Sequence, residues 1–273
     1  MTTTQQIMEI ALQLSGLPDV PTDSGIWVPG SGIRRVLFGI DTGPGELEIA
    51  KRLGYDLVIA HHPPEATLLA WQQYLRHVPQ MVAAGIPAHE AEELVAGQVE
   101  AMQLGAHARN DQHTVSVARL IGMPFMNIHT PLDEVGRRRV QSRLDDLASA
   151  HPAATAQDVL HILQEFGEVR NARVSPLLAA GSAGDPAGRP LFAHGALDIP
   201  SYGMLRAYHA HGVKTLLTLR IGHADLVRLR SEKLGTLIVV GHMAGDSLGF
   251  TPFLSELRKI GLDVTTFSGV IEP

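Results

Sequence analysis

Short apolar runs that end at a histidine, an acid or a glycine, and then give way to helical patterns, constrain this chain most. Residues 36–40 end at Asp41, 57–60 at His61, 125–128 at His129 and 237–240 at Gly241-His242, with a further run at 213–217. Continuous apolar runs need cover on both faces, which the parallel or mixed sheets of α/β proteins provide. Helical periodicity fills the intervals, as at 91–104, 137–147 and 156–166. This alternation predicts an α/β fold. It also predicts a Thr-capped amphipathic first helix, with Ile7, Ile10, Ala11 and Leu14 on one face. The stretch 181–190, GSAGDPAGRP, reads as a loop.

Composition narrows the chemistry. Among 273 residues there is no cysteine, so disulfides, zinc–thiolate sites and a thiol nucleophile are excluded. The net charge of −6 argues against nonspecific binding to nucleic acid or an anionic membrane. No apolar run reaches membrane-spanning length, and the N-terminus lacks the basic and apolar regions of a signal peptide. The expectation is a cytoplasmic protein. The length suits one large domain or two compact halves, with a boundary between 140 and 185, drawn here as 1–140 and 141–273.

One internal echo bears on function. Residues 52–61, RLGYDLVIAH, match the pattern of 233–242, KLGTLIVVGH: a basic residue, Leu-Gly, an apolar strand, a small residue and His. Any two buried parallel strands share such a pattern; a duplication with both strand ends facing one cleft is the alternative. Ligands of open α/β sheets collect beyond the carboxyl ends of strands.

The chemistry-bearing residues stand at those ends. His61-His62 is followed by Pro63-Pro64, which stiffens the exit from the strand. Neighbouring side chains on a regular strand face opposite ways, so the backbone must turn for both imidazoles to share a site. One core and one surface histidine is the plainer reading. His242 and Asp246 have the i, i+4 spacing by which a helix offers two ligands, or a surface pair. His129 and Asp133 flank a helix start, and plain capping by Thr130 or Asp133 is the alternative reading. Asp111 to Thr114, in a helical stretch, ranks lower. Together His61, His62, Asp133, His242 and Asp246 make a sulfur-free N/O set that suits zinc, manganese or iron. Five ligands fit two ions sharing a bridging carboxylate and water.

In this order, HHPP after DLVIA, HTPLD after FMNI and GHMAGD after LIVV resemble the Nif-three-like family, also called GTP cyclohydrolase I type 2-like. The resemblance covers roughly residues 36–250. It implies two divalent ions held by His61, His62, Asp133, His242 and Asp246. It further implies two interlocked α/β halves with mixed sheets and a metal cleft between them, assembled as a ring-shaped hexamer. Three departures stand out. Asp246 replaces the usual Glu, Arg220 in TLRIGH replaces an acid, and the interval between His62 and His129 is long and helical.

The favoured reading is a divalent-metal-dependent hydrolase with a dinuclear site, acting on a small molecule such as a nucleotide. His129, or Glu65 just past the prolines, is the candidate proton carrier. Arg137, Arg138 and Arg139 read as a solvated helix face, with phosphate contact as the sharper alternative. The other function class is a non-catalytic metal-binding scaffold or adaptor.

Overall fold

The computed structural model describes residues 1–65 and 69–273. The chain forms two compact units, each assembled from separate stretches: 1–73, 101–135 and 249–270 in the first, and 74–100, 136–248 and 271–273 in the second. The halves expected from sequence, 1–140 and 141–273, are contiguous; these units are not. Two long helices, Thr130–Ala150 and His242–Lys259, each begin in one unit and end in the other.

The first unit holds a five-stranded sheet in the order Asp263–Phe267, Arg35–Gly39, Leu57–Ala60, Phe125–Asn127, Gly25–Val28. The first four strands are parallel and the last is antiparallel. The second unit holds a four-stranded sheet in the order Leu177–Ala180, Thr236–Val239, Thr215–Thr218, Leu191–Phe192. There the first strand is antiparallel and the rest are parallel. The mixed sheets follow from the apolar runs: Leu57, Val58, Ile59 and Ala60 are all buried, as strands covered on both faces must be. The two echoed strands, Leu57–Ala60 and Thr236–Val239, are both interior strands of their sheets.

The helices form as patterned, with two refinements. Thr3 caps Thr4–Ser15 and, with Gln6, makes a capping box. The buried face of that helix is Thr4, Ile7, Met8, Ala11 and Ser15, so Ile10 and Leu14 sit at its margin and not at its centre. The run at 181–190 carries no helix or strand, as expected of a loop. No described helix is long and apolar enough to cross a membrane.

Within the first unit, the helix His242–Lys259 crosses the helix Thr130–Ala150 at a glycine. A Cβ at Gly249 would lie 1.9 Å from the backbone oxygen of Leu132. Backbone cannot yield as a side-chain tip does, so Gly249→Ala must push the helices apart. A loss of about 1–3 kcal/mol is expected, the usual cost of overpacking. Chemical denaturation of wild type and variant measures it; an unchanged midpoint and slope would mean that the crossing is loose.

Within the second unit, the fully buried His77 presents Nε2 to the carbonyl of Asp198 at 3.0 Å. Burial pushes its pKa down from 6.5 to about 4; the hydrogen bond to Asp198 opposes this and His194 adds to it. In the unfolded chain the imidazole binds a proton near its ordinary value, whereas in the folded chain it does not until about pH 4. Stability from this group is therefore complete above 6.5 and falls as the pH drops toward 4. The loss is on the order of 3 kcal/mol. Denaturation at pH 7 and pH 4.5 should show a smaller difference in His77→Gln than in wild type.

Candidate metal centre

The first cluster is made by strand register. Val58, Ile59 and Ala60 pair in parallel with Phe125, Met126 and Asn127, so the two strands end level. The pairing continues past the strand ends, with His61 N–H donating to Gly39 O at 2.8 Å and His62 N–H to Ile40 O at 2.9 Å. The backbone bends at His61 and His62, supplying the turn two neighbouring histidines need to share a site. Their ring centroids lie 5.3 Å apart, and His129 stands 4.6 Å from His61 and 5.9 Å from His62. One ring nitrogen from each of the three falls within 4.8 Å of the others.

In each ring Nδ1 is engaged by an oxygen acceptor. His61 Nδ1 meets the carbonyl of Ile128 at 3.0 Å, His62 Nδ1 meets Asp41 Oδ1 at 2.7 Å, and His129 Nδ1 meets Asp23 Oδ2 at 2.8 Å. A carbonyl or carboxylate can only accept, so the proton of each neutral imidazole belongs on Nδ1. Nε2 then carries the lone pair, the arrangement by which outer carboxylates and carbonyls orient metal-ligating histidines. Asp133 lies among these nitrogens, with Oδ1 3.3 Å from His61 Nε2 and Oδ2 3.7 Å from His129 Nε2. His61 and Asp133 are both buried.

Sequence reasoning assigned no role to Asp23 and read Asp41 only as the end of a strand. Asp23 is fully buried in the loop before the strand Gly25–Val28. Its Oδ2 also accepts from the Thr130 hydroxyl at 2.6 Å, its Oδ1 accepts from Ser24 Oγ at 3.2 Å, and its carbonyl accepts from Asn127 at 2.7 Å. Thr130 thus opens its helix without capping the next turn. The carbonyl of His129 takes the first intrahelical N–H groups, those of Leu132 and Asp133.

No family model matches the chain, and neither does any curated protein. Solved structures do. A NIF3 superfamily protein from Sphaerobacter thermophilus is 38% identical over 98% of both chains, with a TM-score of 0.95. The chain belongs to the NIF3 superfamily. Two more distant structures share the fold. Reduced HcgD from Methanocaldococcus jannaschii is 14% identical over 97% of both chains, with a TM-score of 0.56. Staphylococcus aureus protein SA1388 is 12% identical over 97% of this chain and 96% of its own, at 0.54.

The second unit of this NIF3-superfamily chain carries the other predicted ligands. The helix His242–Lys259 starts at His242, whose Nε2 lies 3.3 Å from Oδ2 of the buried Asp246 one turn on. Glu65 is exposed. Its partial burial would raise its pKa, but hydrogen bonds from the Thr114 side chain and backbone outweigh that and hold it below the ordinary value. That carboxylate is anchored at the first turn of the helix His113–Ile121. Arg139 does not belong to a solvated face: it pairs with the buried Glu168 at 2.9 Å and also reaches the carbonyl of Leu248. Arg138 is exposed. Arg220 pairs with Asp198.

Proposed function

We propose that this protein is a divalent-metal-dependent hydrolase with a dinuclear site acting on a small molecule. The ligands are His61, His62, Asp133, His242 and Asp246, and His129 is the proton carrier. The observation that carries the reading is the three imidazoles held at Nδ1 around Asp133, a preorganisation that plain core packing does not require. The donor set fits the group: neutral Nε2 atoms and carboxylates, without sulfur, suit zinc, manganese or iron.

What supports adding His242 and Asp246 is the helix that bears them. Its Gly249 packs on Leu132, the residue before Asp133. Its Phe250 stands edge-on to His61, with centroids 4.8 Å apart. Asp246 precedes Phe250 by four residues, which places both on one helical face.

The ions, when bound, supply Lewis acidity and acidify a water toward neutrality. The chain's own part is proton handling. His129 takes up at Nε2 the proton that the attacking water gives up, while Asp23 keeps Nδ1–H in place, and the resulting imidazolium returns that proton to the leaving group. Asp133 offsets the positive charge that gathers there.

Elemental analysis of the purified protein, followed by hydrolysis assays on nucleotides and other phosphate esters with and without chelator, tests the reading. About two equivalents of metal and chelator-sensitive turnover are expected. Absence of bound metal after reloading would sink it, and bound metal with no turnover would favour the scaffold reading. On the family resemblance we further propose a homohexamer; light scattering that shows a monomer across a range of concentrations would count against that.

A further inference from the structure

The helix Ala88–His107 runs out of cover half-way along. Its buried residues are Ala91 and Val95. From Ala96 to His107 no residue is buried, Val99 and Met102 are only partly covered, and Leu104 is 65% exposed. A stretch of about twelve helical residues is marginal in water, because most helical stability in proteins comes from packing one face. The bare half also carries Gly97 and Gly105, and glycine in a helix interior is destabilising relative to alanine. Nothing in this chain calls for either, since a Cβ at Gly97 or Gly105 would meet open space. Other helical glycines do answer a neighbour within the chain: a Cβ at Gly203 would press on Leu94, one at Gly245 on Leu219 and one at Gly249 on Leu132. The room left at Gly97 and Gly105 faces outward.

Residues four apart form a ridge along a helix. The ridge through Gly97 is Glu93, Gly97, Ala101, Gly105, Arg109. Glu93, Gly97, Ala101 and Arg109 are exposed, and Gly105 is partly so. Arg109 stands just past the helix end, where the Ala108 N–H donates to Gly105 O at 3.2 Å and the Arg109 N–H to Ala106 O at 3.3 Å, continuing the coil. Neither Glu93 nor Arg109 has an ion-pair partner among the described residues. An unpaired acid and an unpaired base thus bracket the small residues of an uncovered face.

About Ala101 this ridge is symmetric in size and opposite in charge. Two copies turned antiparallel about a two-fold axis at Ala101 set Glu93 against Arg109, Gly97 against Gly105 and Ala101 against its own counterpart. A parallel pair would set glutamate against glutamate and arginine against arginine. A two-fold contact uses the same patch on both partners, and antiparallel helices also oppose their dipoles. Small residues at the crossing let the two backbones approach closely. Leu104, beside the ridge, then falls near Gly97 and Gln98 of the other copy, where the missing Cβ leaves room for it.

We propose that a second copy of this chain docks on the helix Ala88–His107, antiparallel and crossing at Ala101, with Glu93 of each copy paired to Arg109 of the other. Exposed ion pairs of this kind set register and orientation more than affinity. A single helix pair covers less than the roughly 1,200 Å² of a stable interface, so the contact is weak on its own and has to be trapped. It stands apart from the hydrolase reading and does not rest on it.

The chain has no cysteine, so Ala101→Cys places a lone thiol on the axis, opposite its counterpart. A disulfide needs Cα atoms about 4.4–6.8 Å apart, the range of a crossing with nothing larger than a methyl group at its centre. Under oxidised glutathione the full-length Ala101→Cys protein is expected to run mostly as a covalent dimer on non-reducing gels. Gln103→Cys, exposed on the opposite face of the helix, should stay mostly monomeric. Adding Glu93→Arg to Ala101→Cys should slow dimer formation several-fold, because arginine then meets arginine, and adding Arg109→Glu as well should restore the rate. Circular dichroism checks that each variant folds. Equal dimer from the two thiols would mark random collision and overturn the contact, as would a folded Ala101→Cys protein that stays monomeric. A rate unmoved by Glu93→Arg would overturn the antiparallel register and the proposal with it.

Discussion

Asp246→Ala is expected to strip at least one equivalent of metal from the protein and to abolish most hydrolytic activity. If Asp246 bridges two ions in the proposed site, it would both neutralise them and fix their spacing, so its removal would affect binding and chemistry together. Asp246 is buried at the start of its helix, one turn from His242. Its arm is one methylene shorter than the Glu the family resemblance leads one to expect. A shorter arm needs a closely packed helix, and with no Cβ at Gly249 the helix approaches Leu132 to backbone contact. Asp246→Glu restores the longer arm and should keep metal binding or improve it. Elemental analysis of the three proteins, with folding checked by circular dichroism, decides. Equal stoichiometry in all three would remove the bridging role, leave the histidines and Asp133 with a single ion, and withdraw the two-metal mechanism.

The strands were legible because burial on both faces leaves a continuous apolar run. The runs at 57–60 and 125–128 correspond to Leu57–Ala60 and Phe125–Asn127, and the histidines follow where expected. The proximity of His242 and Asp246 was legible for a similar reason: the i, i+4 geometry is local to one helix. Two things were not legible. The exchange of chain between units, with 74–100 in one and 101–135 in the other, leaves no compositional mark, because both stretches are ordinary helices and strands. Nor did any local pattern mark Asp23. It lies in a polar Pro-Thr-Asp-Ser-Gly turn, and its partner His129 is 106 residues away. An acid buried for a distant imidazole looks in sequence like any turn acid. Glu65 shows the converse: its position beside the prolines invited a catalytic role, yet its carboxylate is held by Thr114.

Asp23→Asn should lower turnover by about 10²–10⁴-fold while leaving metal content intact, if His129 carries protons as proposed. Asp23 Oδ2 accepts from both His129 Nδ1 and the Thr130 hydroxyl. Asparagine offers only one accepting oxygen, and Ser24 and Thr130 compete for it. If the amide nitrogen faces His129, the ring must accept there, which moves its proton to Nε2. A ring protonated at Nε2 cannot take a proton from the reaction, although its position is unchanged. Because Asp23 is fully buried, a general loss of stability is a competing explanation, and the double variant separates the two. Asp23 acting through His129 predicts that Asp23→Asn adds little to the defect of His129→Gln, whereas an unrelated structural role predicts that the two defects multiply. Metal stoichiometry supplies the other test. His129 lies within ligand distance of His61 and His62, so loss of an ion in Asp23→Asn would make it a metal ligand oriented by Asp23. The proton carrier would then have to be sought elsewhere along the carboxyl edges of the two sheets.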